Sequence, residues 1–149
     1  MNLNAKPSEL AAVVGVIDPD ANAAGALSTG WIDMRDFGAL LAIVMAGDLG
    51  TSATLDAKFE QATSSGGAGV KDVSGAAITQ LTQAGTDSNK QALINLRGEQ
   101  LDTDSGFRYA RLTMTTATAT SDSGAVVLGF HPARGPASDF DATTVDEIV

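Results

Sequence analysis

The chain has 149 residues, 44% of them apolar and 5% aromatic, with no cysteine and a formal charge of −9. That length supports one domain with a core of its own, without metal or disulfide staples. The missing cysteines exclude disulfides and thiol chemistry, and the acidity opposes attraction to nucleic acid or to an anionic membrane surface.

Residues 1–8 form a polar lead. Between Glu9 and Ile17 two readings compete: Ser8 capping a short helix, or a strand carried by VVGVI, favoured over the second half. No stretch approaches the roughly 18–20 apolar residues of a membrane helix. The run LAAVVGVI has only Lys6 before it and Asp18-Pro19 after it, a poor signal peptide, so the chain is expected to be intracellular when made. Residues 18–30, rich in Asp, Asn, Ala and Gly, read as a loop, and the sheet is expected to begin within 27–34. Arg35 and Asp36 then turn the chain.

Residues 37–46 (FGALLAIVMA) are almost continuously apolar. A strand apolar on both sides must be covered on both, by a second sheet or by a neighbouring subunit. After a break at 47–52 the pattern becomes strict alternation. Ala53, Leu55, Ala57 and Phe59 point one way; Thr54, Asp56, Lys58 and Glu60 point the other. SSGGAG at 64–69 is a turn, because tandem glycines tolerate positive φ. Residues 70–75 look like a short excursion, with strands at 76–82 and 91–97 around a polar loop and one polar helical turn near 99–104. The longest strand candidate is 107–120, with Ala110, Leu112 and Met114 on one face and a bend at Thr115-Thr116. SDSG at 121–124 is expected to close a hairpin onto a second apolar strand, 125–131. From Pro132 onward Pro, Gly and Asp dominate, and the last fourteen residues carry four acidic groups and no basic one. They read as an extended tail.

The pattern predicts an all-β fold: a β-sandwich or jelly-roll-like domain of about seven or eight strands with extended N- and C-terminal arms. The expected division is 1–26 (arm, first strand and loop), 27–131 (sandwich) and 132–149 (acidic arm).

Catalytic chemistry is sparse. His131 is the one histidine and has no cysteine or second histidine to join it at a metal. Asp18-Pro-Asp20-Ala-Asn22 begins like a calcium loop, but Ala23 and Thr29 stand where glycine and glutamate are needed, so a side-chain-stabilised turn is the better reading. Asp56, Lys58 and Glu60 share one strand face instead of facing each other across a cleft. The glycines and lysine of SSGGAGVKD lack phosphate-loop spacing. No catalytic, cofactor or metal residue is therefore assigned. The interaction candidates are Ser64, Gly66 and Gly67 in the turn, and Phe140, Val145 and Ile148 in the acidic arm, since an extended terminal segment can lie along a neighbour.

The segments WIDMRDF (31–37), FEQATSSGGAGVKDV (59–73), AITQL (77–81), ALINLRGEQLD (92–102), FRYARLT (107–113) and VVLGFHP (126–132) together resemble a family of small structural proteins of tailed bacteriophages, or of related prophage and gene-transfer particles. The resemblance spans about 30–132 and brings no catalytic motif. It implies a non-enzymatic virion protein, foremost a capsid decoration or cement protein that binds the head surface and stabilises the shell. Its expected partners are the major capsid protein and other copies of itself, with a trimer as the favoured order and no nucleic acid, membrane or cofactor. Its expected place is the virion, assembled in the host cytoplasm. Two other readings are a head–tail connector, tail or spike component, and a carbohydrate-binding β-sandwich module. The scarcity of aromatic rings argues against the latter.

Overall fold

A computed structural model describes residues 4–149. Among them the one α-helix is a single turn, Pro7–Leu10, and the rest of the regular structure is almost entirely strand. The strands are β1 (Ala11–Asn22), β2 (Gly25–Ser28), β3 (Ile32–Asp33), β4 (Phe37–Ala46), β5 (Thr54–Ala62), β6 (Lys71–Ala77), β7 (Leu81–Thr82), β8 (Gln91–Arg97), β9 (Tyr109–Ala117) and β10 (Ser121–Pro132).

They pair into two antiparallel sheets, ordered β1–β10–β4–β8 and β2–β9–β5–β6, with the short β3 and β7 attached to β9 and β5. Setting those two short strands aside leaves eight. Their interleaved order, in which first and last strands are neighbours and successive strands alternate between sheets except for the adjacent pair β5–β6, is that of a jelly roll. The all-β sandwich expected from the sequence is therefore the fold.

Alternation decides which side chains reach the interior. Ala53, Leu55, Ala57 and Phe59 of the β5 segment are buried, as are Ala110, Leu112 and Met114 of β9. From the other sheet come Leu40, Ala42 and Val44 of β4, Val127 of β10, and Ile94 and Leu96 of β8. β1 supplies Ala12 and Ile17 to the same core.

Four local expectations give way to the tertiary structure. The acidic stretch at 18–22 is the end of β1, not a loop. It continues past a bulge at Asp18-Pro19, where proline's missing N–H costs no ladder bond. Gly124 lies beneath that bulge, since a Cβ there would stand 2.9 Å from Pro19 Cα. SDSG does not close a hairpin: Ser121 to Gly124 belong to β10, which pairs with β1 and β4, whereas β9 pairs in the opposite sheet. The chain crosses between sheets at Thr118–Thr120, with Thr118 at φ 74°. The excursion at 70–75 is most of strand β6, irregularly paired with β5. Finally, the segment after Pro132 is packed at its start. Ala137 is wholly buried in a 3₁₀ turn, and the Phe140 ring meets Phe37 edge-on at 5.2 Å between centroids.

Candidate interaction surface

The turn at 64–69 is held from within. Ser64 Oγ accepts from the Ala68 N–H at 3.1 Å, and the Ser64 carbonyl accepts from the Gly67 N–H at 3.0 Å. Gly67 sits at φ +82°, and a Cβ on it would lie 2.8 Å from Trp31 Nε1. Gly66 faces open space, with only Ser64 Oγ near, at 3.8 Å. Sequence alone marks both glycines equally; the structure makes one a packing requirement and the other a free position. Gly67→Ala is expected to cost about 1–3 kcal/mol through backbone strain and crowding. Gly66→Ala should stay within about 0.5 kcal/mol of the parent. Urea unfolding followed by the fluorescence of Trp31, the sole tryptophan, compares the two.

Trp31 leads into an ion-pair network on the outer side of the β2–β9–β5–β6 sheet. The Arg111 guanidinium lies 4.5 Å from the Trp31 ring centroid and donates to Glu60 Oε2 at 2.8 Å. Thr113 Oγ1 donates to the same oxygen at 2.9 Å. Lys58 stands between Glu60 at 3.6 Å and Asp72 at 2.7 Å. Burial alone would raise the Glu60 pKa; the Arg111 and Thr113 hydrogen bonds, with the charges of Arg111 and Lys58, outweigh it and hold the carboxyl below its usual value. A depressed folded-state pKa contributes stability above the unfolded value, about 4.3, and that contribution is lost as pH falls through the folded one. The stability gap between the parent and Glu60→Gln should thus be widest near neutrality and shrink below about pH 4. Unfolding curves at several pH values test it, and a gap that stays constant would contradict it.

The C-terminal candidates lie elsewhere, along β1. The Val13 N–H donates to Asp141 Oδ1 at 2.7 Å, and the Ala142 N–H donates to the Val13 carbonyl at 2.7 Å. β1 is the edge of its sheet and is bulged after Val13, so these two bonds occupy an edge that would otherwise be open. Phe140 is half-buried against Phe37, Val145 is half-buried, and Ile148 is 50% exposed. The six candidates therefore do not form one surface: three belong to the turn beside Trp31, and three to the segment beside β1.

The residues considered for chemistry are dispersed too. Asp20 accepts from its neighbour Ala21 N–H, and Asn22 donates to the Ser123 carbonyl. Asp56 accepts from Gln80, and His131 is exposed at φ 55°. Among the described residues no group of three or more His, Cys, Asp or Glu side chains is placed to hold a metal.

The surface that the list of candidates omits is the outer side of the β1–β10–β4–β8 sheet. The signal was the double apolarity of 37–46. Among the described residues only one side of β4 is covered; Leu41 and Ile43 are half-exposed and Met45 is 51% exposed on the other. Registers carry the pattern across the sheet, in the rows Val13–Leu128–Leu41 and Val16–Val126–Ile43–Leu93.

No protein-family model matches this chain, and no curated protein matches it. Among solved structures it is similar to a chain of the cowpea mosaic virus empty virus-like particle, at 11% identity over 89% of this chain and 86% of that one, with a TM-score of 0.47. It is also similar to a chain of broad bean stain virus, at 8% identity over 88% and 90%, with a TM-score of 0.48. The xylan-binding domain CBM22-2 of Paenibacillus barcinonensis Xyn10C follows at 10% identity over 71% and 78%, with a TM-score of 0.39. With every one of these scores below 0.5, the fold rests on the strand pairing, and function must be argued from the chain's own surface.

Proposed function

We propose that this chain is a non-enzymatic structural protein of a phage-like particle, a capsid decoration protein that attaches to the shell and reinforces it. The observation that carries the reading is the contrast between its two outer faces. One sheet turns outward a charged, ion-paired surface suited to water; the other turns outward uncharged apolar rows. Such a molecule works by contact, because a contiguous exposed apolar face signals a protein–protein surface. The segment-by-segment resemblance to small phage structural proteins supports the particle setting, with the major capsid protein and further copies of the chain as partners and the host cytoplasm as the place of assembly.

Copy number tests this. Quantitative mass spectrometry of purified particles is expected to give this chain in a ratio comparable to the capsid subunit. A ratio fit for a single vertex would move it to a connector or tail position. Absence from particles would overturn the virion reading.

A further inference from the structure

We propose that the outer face of the β1–β10–β4–β8 sheet is where a second copy of this chain docks, the two sheets stacking face to face about a twofold axis. This rests on the contact role proposed above and names its partner.

The face spans four strands. Four strands at about 4.8 Å spacing and about 30 Å of strand length give a footprint of roughly 600 Å² before side-chain relief adds area. A stable complex takes about 600–1,000 Å² from each partner, so one copy of this face covering another reaches the lower end of that range. Its middle holds Val126 and Leu128 of β10, Leu41 and Ile43 of β4, and Leu93, which is 61% exposed, on β8, with Met45 toward one end.

Charge points to a like partner. Two chains of net charge −9 repel at a distance, but the middle rows Val13–Leu128–Leu41 and Val16–Val126–Ile43–Leu93 carry no charged side chain, so stacking them brings no like charges together. The ends of the face differ in charge. Asp20 and Asp122 line a groove of about 800 Å³ at the Met45 end, together with Val16, Pro19 and Val126. Arg97, ion-paired with Glu99 at 3.6 Å, closes the opposite end, in the row through Ala39 and Phe130. With the twofold axis across the strands, each copy's Asp20–Asp122 end lies over the other's Arg97–Glu99 end, so the two acidic ends do not meet. A self-complementary patch of this kind suits an isologous contact, and apolar sheets stack about 10 Å apart in just this manner within sandwiches. Such a contact closes a dimer, unlike the trimer implied by the family resemblance.

Sedimentation equilibrium of the full chain tests this without any particle. The expected result at about 100 µM, above the micromolar Kd of the weakest interfaces this large, is a dimer. Met45→Glu and Leu93→Glu should each shift it to monomer by at least tenfold in Kd with an unchanged far-UV circular dichroism spectrum, because both side chains are already more than half exposed. Leu27→Glu, exposed on the edge strand of the other sheet, should leave the dimer intact. In a chain without cysteine, Leu41→Cys should be joined to its counterpart by a short bismaleimide. A monomeric or trimeric parent, or a dimer indifferent to both glutamates, overturns the proposal. Absence from particles would overturn the virion reading instead, and neither failure mimics the other.

Discussion

Phe59→Ala is expected to lower the stability of the fold by about 3–5 kcal/mol, a large part of the roughly 5–15 kcal/mol that holds a domain together. Phe59 is fully buried in the middle of β5, paired with Leu112 of β9. The chain has only seven aromatic residues, so few other side chains can supply that volume. Buried neighbours in its own strand and the next are small, notably Ala57 and Ala110, and a methyl group cannot swell to fill the space left by a ring. The cavity therefore stays open, which places the cost toward the upper end for its chemistry. Urea unfolding should show a lower midpoint at unchanged slope, and a thermal midpoint lower by roughly 10–20 °C. A loss under about 1 kcal/mol would mean that the two sheets do not close over this residue.

Truncation separates two parts of the C-terminal segment. Deleting 137–149 is expected to cost about 3 kcal/mol, from the partly buried Phe140 ring and the two hydrogen bonds at Val13. It would also bare the edge of β1, and with it a tendency to pair with other chains. Deleting 146–149 removes four exposed residues and should leave stability within about 0.5 kcal/mol. The second truncation is thus the one to use in asking whether the acidic end binds a shell, since any loss of attachment would not be a loss of fold. Equal stability of the two truncated chains would contradict the packing of Phe140 and Asp141.

Where one strand face is wet and the other dry, the sequence is readable without help. β5 shows this from Thr54 to Glu60, its alternation matching burial residue for residue, whereas in β9 Thr113 is buried along with Leu112 and Met114. What misleads is pairing between distant residues. SDSG has the composition of a tight turn, yet Ser121 is buried and accepts the Gly50 N–H, and Ser123 pairs with Asp20 and Ala46. Nothing local announces that β9 and β10 lie in different sheets. The tail misled for a similar reason: its composition is that of a solvated segment, and only the position of Phe37 and the free edge at Val13 gives Phe140 and Asp141 something to bind. Of the interaction candidates, Gly67 owes its identity to Trp31, thirty-six positions earlier in the chain, which no spacing rule would connect. The doubly apolar strand was the better pointer, because uncovered hydrophobicity shows in a sequence even when the element that covers it does not.

The strand order also dictates a timetable. β10 is the inner strand that joins β1 to β4, and it is made last of the ten. Ala11 finds its partner only in Phe130, so at ribosomal speeds of about 5–20 residues per second the first strand waits on the order of 10 s for the residue it binds. From its own synthesis until β10 arrives, FGALLAIVMA has no neighbour on one side, and its apolar surface is open to any other nascent chain. Slower elongation would lengthen the exposure, and a holding chaperone would limit its consequences. How long that strand stays uncovered is thus set by how quickly the last strand arrives.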